Sequence, residues 1–361
     1  MRPRRIKVFS FQPPDDISNY VNQREYMQAK DSILDYHSAW CRGDEDRCRS
    51  LYIQCSKYFA ENPGTSLVSG AANGDGEKRL EIAIRRLSGC AGFSRDIEVA
   101  LSHLDTIINP NNEDPAINVS AELLVKAVSC AAFGHLALYE AAARTDDIQL
   151  ANDHLYAAAI YADAAVSRGL ISSTSLWVPS VLSSSAEHYN VDIRNSPRYR
   201  VFKNLWGAWD KLDEELAAEE RKRSIKVAKA PNAYARAADG CGVQGTSKTA
   251  LLRCGGQCPP EYKPSYCSKQ CQTRAWPAHK RICKPGSKKR VVPPSDDDPI
   301  IEVDLDDPTA VDNEISIEGS AERFIDFPHS AQPGGRLTIV SRHFSPVYLR
   351  YLRELMSGGT Q

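Results

Sequence analysis

The chain has 361 residues, 42% of them hydrophobic, and a formal net charge of −1. That length and composition allow about two or three domains and a substantial core in part of the chain. After the basic start Met1-Arg-Pro-Arg-Arg-Ile-Lys7, residues 8–16 are too short and too polar for a signal-peptide core. No run approaches about 18 consecutive apolar residues, so no membrane span is expected. The expected location is intracellular, nucleus or cytoplasm, where thiols stay reduced and the eleven cysteines read as metal ligands before disulfides.

Residues 1–14 carry no periodic pattern and are expected to be disordered. Residues 15–230 read as an α-helical scaffold. Ile17, Tyr20 and Val21, then Ile33, Leu34 and Tyr36, recur at helix-face spacing. After the Gly-rich break at 70–76, Leu80, Ile82, Ile84 and Leu87 continue the pattern. An internal similarity follows: Asp96-Ile-Glu-Val-Ala100-Leu-Ser-His103-Leu104 matches Asp147-Ile-Gln-Leu-Ala151-Asn-Asp-His154-Leu155, 51 residues later. In each copy Asp can cap a helix, Ala lets a neighbouring helix approach and Leu fills the seam. His103 and His154 recur in register and read as packing residues. Gly169 is placed to stop the helix that contains Ala157 to Val166. The region resembles a tetratricopeptide-like or Sel1-like array of helical hairpins, and an irregular helical bundle fits the same pattern. A long helix is expected from Leu205 to Lys226, with Trp206, Trp209, Leu212 and Leu216 as its apolar stripe.

The cysteines divide into two groups. Cys41, Cys48, Cys55, Cys90 and Cys130 are scattered through helical sequence and read as small buried or idle thiols. Cys241, Cys254, Cys258, Cys267, Cys271 and Cys283 fall within 43 residues, together with His279. Cys267-Ser-Lys-Gln-Cys271 and His279-Lys-Arg-Ile-Cys283 each leave a three-residue gap, which puts both ligands of a pair on one face of a helical turn. Four thiolate or imidazole ligands suit tetrahedral zinc. A segment of this size has almost no apolar core of its own, so metal is expected to supply its folding free energy, on the order of 10 kcal/mol per structural site.

The charge is partitioned. Residues 241–290 hold eleven Lys or Arg against Glu261, and residues 291–330 hold twelve Asp or Glu against Arg323. A basic module therefore precedes an acidic segment, and the rest of the chain is neutral. Residues 284–333, rich in Pro, Asp and Ser, are expected to form a disordered acidic linker. Residues 334–357 read as a short strand followed by a helix that opens with Pro346 after a Ser345 cap.

The run from Leu251-Leu-Arg-Cys254 through Tyr266-Cys267-Ser-Lys-Gln-Cys271-Gln272 and Trp276-Pro-Ala-His279-Lys-Arg-Ile-Cys283 resembles a MYND-type zinc finger, and Cys241-Gly-Val-Gln244 with the Pro-rich insert is similar to the fungal members. The resemblance covers about an eighth of the chain. It implies two zinc ions in cross-braced order, one on Cys254, Cys258, His279 and Cys283 and a second on Cys241, Gln244, Cys267 and Cys271. Three positions depart from the family. Gln244 stands where a second Cys is usual and is a poorer ligand than thiolate. The gap from Cys254 to Cys258 is three residues rather than two, and Ala275 replaces an acid. The resemblance also implies a docking surface for proline-rich segments at Gln272 and Trp276.

The fold class expected is mainly α: a helical bundle or hairpin array, a small cross-braced zinc finger and a disordered acidic segment. The expected function is a zinc-binding adaptor for protein–protein interaction, and the alternative is a zinc-dependent nucleic-acid-binding regulator that uses the basic finger surface. Nucleic acid is the weaker partner, because the finger lacks a base-reading helix arrangement. No enzyme is expected. Gly240-x4-Gly245 is followed by Lys248 two residues too late for a phosphate loop, and no SET-type Asn-His-x-Cys-like motif, nucleophile elbow or paired acids stand out. Residues 300–307, Ile-Ile-Glu-Val-Asp-Leu-Asp-Asp, resemble a SUMO-interacting motif that adds a strand to a sheet edge.

Overall fold

The computed structural model describes residues 4–7, 17–36, 45–110, 117, 119–188, 190–229, 242–245, 250–260, 263–286, 323–328, 336–341, 349 and 352. The chain divides into two compact units, one of Gln12–Glu214 and one of Met1–Phe11 with Glu215–Gln361.

The first unit is helical, as the periodicity predicts. Its elements are α1 (Ile17–Asp31), α2 (Glu45–Glu61), α3 (Gly64–Ala72), α4 (Gly76–Ser88), α5 (Ile97–Ile108), α6 (Ala121–Arg144), α7 (Ile148–Ser167) and α8 (Ser173–His188). The helix α9 (Lys203–Lys229) begins in this unit. One core gathers Tyr26 and Met27 of α1, Leu80, Ile84 and Leu87 of α4, Leu104 and Ile107 of α5, and Leu123, Ala127 and Cys130 of α6. A second joins Leu136, Leu155, Ala158, Ala159 and Ala162 with Val178, Leu182, Phe202 and Trp206. The alanines on α7 recur every three or four residues, so a smooth face lies against α6, the helix it packs on. The α9 stripe is buried at Trp206 and partly buried at Trp209 and Leu212, but Leu216 is exposed. Ile33 and Leu34 lie beyond the end of α1 in a turn rather than continuing it.

The two matching segments take equivalent places. Asp96 accepts from the Val99 amide and Asp147 from the Leu150 amide, each at 3.0 Å, and so each caps its helix. Ala100 and Leu104, like Ala151 and Leu155, are buried. His103 is half-buried, and burial pushes its imidazole below the usual range. His154 meets His135 with 3.3 Å between their Nδ1 atoms, and His135 stacks on Tyr161. Burial, then His154, holds His135 down to about 4, so it packs as a neutral ring. Gly169 follows α7 with φ 93°, a conformation that costs glycine little, and its amide closes the end on Val166. Cys55, Cys90 and Cys130 are buried free thiols, while Cys41 lies outside the described residues. Among the described helices α6 is long and apolar enough to cross a membrane, because Ala, Leu, Val, Phe and Cys raise its hydropathy while single polar residues interrupt the apolar run. Half of its apolar window is buried against its neighbours, as in the core helix of a globular unit.

The second unit departs from the sequence expectation. A four-stranded sheet runs in the order β1–β6–β5–β2, with β1 at Arg4–Lys7, β2 at Gln244–Gly245, β5 at Arg323–Pro328 and β6 at Arg336–Ser341. β1 pairs parallel with β6, Ile6 opposite Ile339, while β5 pairs antiparallel with β6 and with β2. The strand expected near 336–340 is therefore present. Two expectations are corrected: residues 4–7 are a strand rather than part of a disordered start, and β5 lies inside the segment 284–333 expected to be wholly disordered. Arg4-Arg5-Ile6-Lys7 and Arg323-Phe-Ile-Asp-Phe are short and lack a clean apolar–polar alternation, so they do not register as strands without the partners that complete their ladders. A second, two-stranded sheet pairs β3 (Leu252–Arg253) with β4 (Ser265–Tyr266), and α10 (Lys269–Lys280) follows. Residues 300–307 and the Ser345–Pro346 helix start lie outside the described residues.

Candidate metal centre

Ser268 opens α10. Its hydroxyl accepts from the Cys271 amide at 3.2 Å, so Cys271 sits in the first turn, where the unpaired amides and helix dipole favour a thiolate. Two turns on, His279 points inward and is buried, and Cys283 follows just past the helix end. Hairpin β3–β4 brings Cys254 and Cys258 to the same place.

The four donors Cys254, Cys258, His279 and Cys283 all lie within 4.8 Å of one another. A tetrahedron with metal–sulfur bonds of about 2.3 Å has sulfur–sulfur edges of about 3.8 Å. The Sγ separations are 3.7 Å for Cys254–Cys283 and 3.9 Å for Cys258–Cys283. His279 Nε2 stands 3.2 Å from Cys254 Sγ and 3.8 Å from Cys258 Sγ. Electrostatics agree with the geometry. Burial, then the adjoining Cys283 and Cys254 thiols, pushes the Cys258 thiol up to about 12, and a cation among these sulfurs would reverse that. Burial lowers the His279 imidazole, which favours the neutral form that ligates metal. The donor set fits Zn2+, which supplies the folding free energy of such a finger when bound.

The three-residue gap between Cys254 and Cys258 is accommodated by Gly255-Gly256. The Gly256 amide donates to Cys254 Sγ at 3.3 Å, and a Cβ at Gly256 would sit 2.3 Å from Cys283 Sγ. Gly256→Ala is therefore expected to displace Cys283 and to weaken zinc binding about tenfold or more in a chelator competition, since each 1.4 kcal/mol of misfit is a factor of ten. Sequence reading passed over this glycine, although its place inside a ligand loop was visible.

Of the second ligand set, Cys267 and Cys271 come together with Sγ atoms 3.1 Å apart, and Arg274 lies 3.9 Å from Cys271 Sγ. Gln244 is half-buried in β2, with its backbone paired to Phe324, and Cys241 lies outside the described residues. Gln272 is half-buried, and Trp276 is 39% exposed with its ring 5.9 Å from that of His279. Ala275, where an acid is usual, packs partly against the finger core.

The expectation of an almost coreless finger is corrected. Val243, Leu251, Tyr266 and the four cysteines Cys254, Cys258, Cys267 and Cys271 share one buried cluster with Ile325, Ile339 and Leu349. The apolar side chains missing from 241–283 are supplied by strands more than 40 residues downstream. Tyr266 is buried among the ligands, where burial and the thiols of Cys254, Cys258 and Cys283 hold its hydroxyl protonated.

No curated protein and no solved structure matches the chain. Residues 240–283, the stretch that spans this cluster, match the family model of the MYND finger, a zinc-binding module that generally mediates protein–protein interaction.

Proposed function

We propose that the protein is a non-catalytic intracellular adaptor whose finger docks proline-rich peptide segments against Gln272 and Trp276 of α10. The observation that carries this is the exposure of Trp276, a large indole left 39% open one turn before a buried zinc ligand. A metal-anchored helix holds it in place, so little side-chain entropy is lost when a partner covers it. Gln272 stands four residues earlier, on the same helix face. An indole face packs a proline ring, and an amide satisfies an extended backbone that has no internal hydrogen bonds.

The reading extends to three further features. A second zinc ion takes Cys267 and Cys271, with Cys241 and Gln244 as the remaining donors. The helical unit is a hairpin array of tetratricopeptide or Sel1 type, supported by the matched caps at Asp96 and Asp147, and offers a second peptide surface. Residues 300–307 bind SUMO by strand addition.

Trp276→Ala is expected to weaken binding of proline-rich peptides by about 2 kcal/mol, roughly 30-fold, while zinc content is unchanged. Unchanged affinity in calorimetry with metal retained would remove Trp276 from the docking surface. Arg253, Lys269, Arg274, Lys280, Arg281 and Lys284 are exposed around the finger and favour the nucleic-acid alternative. If random DNA binds instead, with affinity falling steeply as salt rises, that alternative replaces the adaptor reading.

A further inference from the structure

Glu81 of α4 is the hub of a buried polar cluster in the helical unit. The Tyr26 hydroxyl lies 2.8 and 3.1 Å from its two carboxylate oxygens, Lys30 Nζ donates at 3.1 Å and Arg85 Nε at 2.9 Å. Both oxygens are thereby satisfied. One carboxylate serves two cations, from α1 and α4, and a positive charge is left over. Burial keeps the neighbouring Tyr26 hydroxyl and Cys55 thiol protonated, Cys55 pushed up to about 12, so neither adds a negative charge to the cluster.

Arg85 is fully enclosed, at 0% exposure, yet its Nη1 and Nη2 have no hydrogen-bond partner. Phe59 and Tyr58 present their rings 4.8 and 5.9 Å from the guanidinium carbon. Aromatic faces attract the cation but do not satisfy the planar fork of N–H groups. A desolvated guanidinium with a spare charge and an unused bidentate edge is matched by an oxyanion. Lys30 and Tyr58, both partly exposed, mark the side of this cluster nearest solvent, with Lys30 Nζ 5.4 Å from the Tyr58 ring centroid.

We propose that the Nη1–Nη2 edge of Arg85, with Lys30 at the rim, binds an oxyanion of phosphate or carboxylate type. The site is independent of the zinc finger and gives the helical unit a ligand of its own. Arg85 forms the two parallel hydrogen bonds, and Lys30 adds a third with an N–H that Glu81 does not use.

The test uses the full-length zinc-loaded protein, melted at fixed pH and ionic strength while chloride is exchanged for inorganic phosphate or, separately, for acetate. The expected result is a saturable rise in Tm with one of the two, phosphate identifying a phosphoryl ligand and acetate a carboxylate. Lys30→Met, which keeps the Arg85–Glu81 pair, is expected to raise the half-saturating concentration about tenfold, the loss of one charge-assisted hydrogen bond. Arg85→Lys is expected to abolish saturation. Because Arg85→Lys risks misfolding, the wild-type protein is also titrated with its arginine side chains 15N-labelled, and a saturable shift of the Arg85 resonances is expected. Phosphate stabilises folded proteins generically by exclusion from their surfaces. A linear rise of equal slope in wild type and Lys30→Met, with unmoved Arg85 resonances, overturns the proposal.

Discussion

Removing zinc is expected to cost hairpin β3–β4 and α10 their fixed structure while the helices α1–α8 keep theirs. Cys254, Cys258, His279 and Cys283 come from a hairpin, a helix and the turn after it, and their convergence is what joins these pieces. Without a cation, burial and the neighbouring sulfurs keep the Cys258 thiol protonated, and sulfurs less than 4 Å apart gain nothing from proximity. With zinc, the binding free energy enters the folding free energy directly, on the order of 10 kcal/mol for a structural site. Cys254→Ser should reproduce the effect of a chelator, because a hydroxyl replaces a thiolate that also accepts the Gly256 amide. Zinc affinity should fall as pH falls, since protons compete for the same thiolates and imidazole. The measurement is a backbone NMR spectrum before and after chelation, read separately for the two units. Full retention of the finger resonances without metal would defeat the assignment.

Ile325→Ala in the full chain is expected to destabilise the finger by about 2–5 kcal/mol, although residue 325 lies outside the stretch that matches the MYND family. Ile325 is fully buried, opposite Ile339 across the β5–β6 ladder, in the cluster that contains Cys254, Cys258, Cys267 and Cys271. Truncating it leaves a cavity beside the ligands, and a ligand shell that shifts binds metal less well. A share of only 1.4 kcal/mol felt at the metal is a tenfold loss of affinity. Chelator-driven zinc release should therefore be faster in Ile325→Ala, and faster again in a chain ending at Gly286. Equal zinc retention by all three proteins would show that the sheet is dispensable for the finger. The wider consequence is that the buried cluster of the finger extends beyond the family match to the strands at Arg323–Pro328 and Arg336–Ser341.

The cluster of Cys254, Cys258, His279 and Cys283 was legible from sequence because metal chemistry is local. Only a few side chains bind zinc, and the spacings within Cys254 to Cys258 and His279 to Cys283 already constrain which can meet. The helical unit was legible for a related reason: caps such as Asp96 and Asp147, and the apolar face of α4, act within one or two turns of chain. What tertiary structure alone decided is non-local. Strands of two to six residues at 4–7, 244–245, 323–328 and 336–341 carry too little pattern to announce themselves, and their pairing depends on partners up to hundreds of residues away. The exposure of Trp276 and the unpaired edge of Arg85 belong to the same class. Whether a side chain meets water, a ring or a carboxylate is set by which elements pack around it, and no window of neighbouring sequence contains that information.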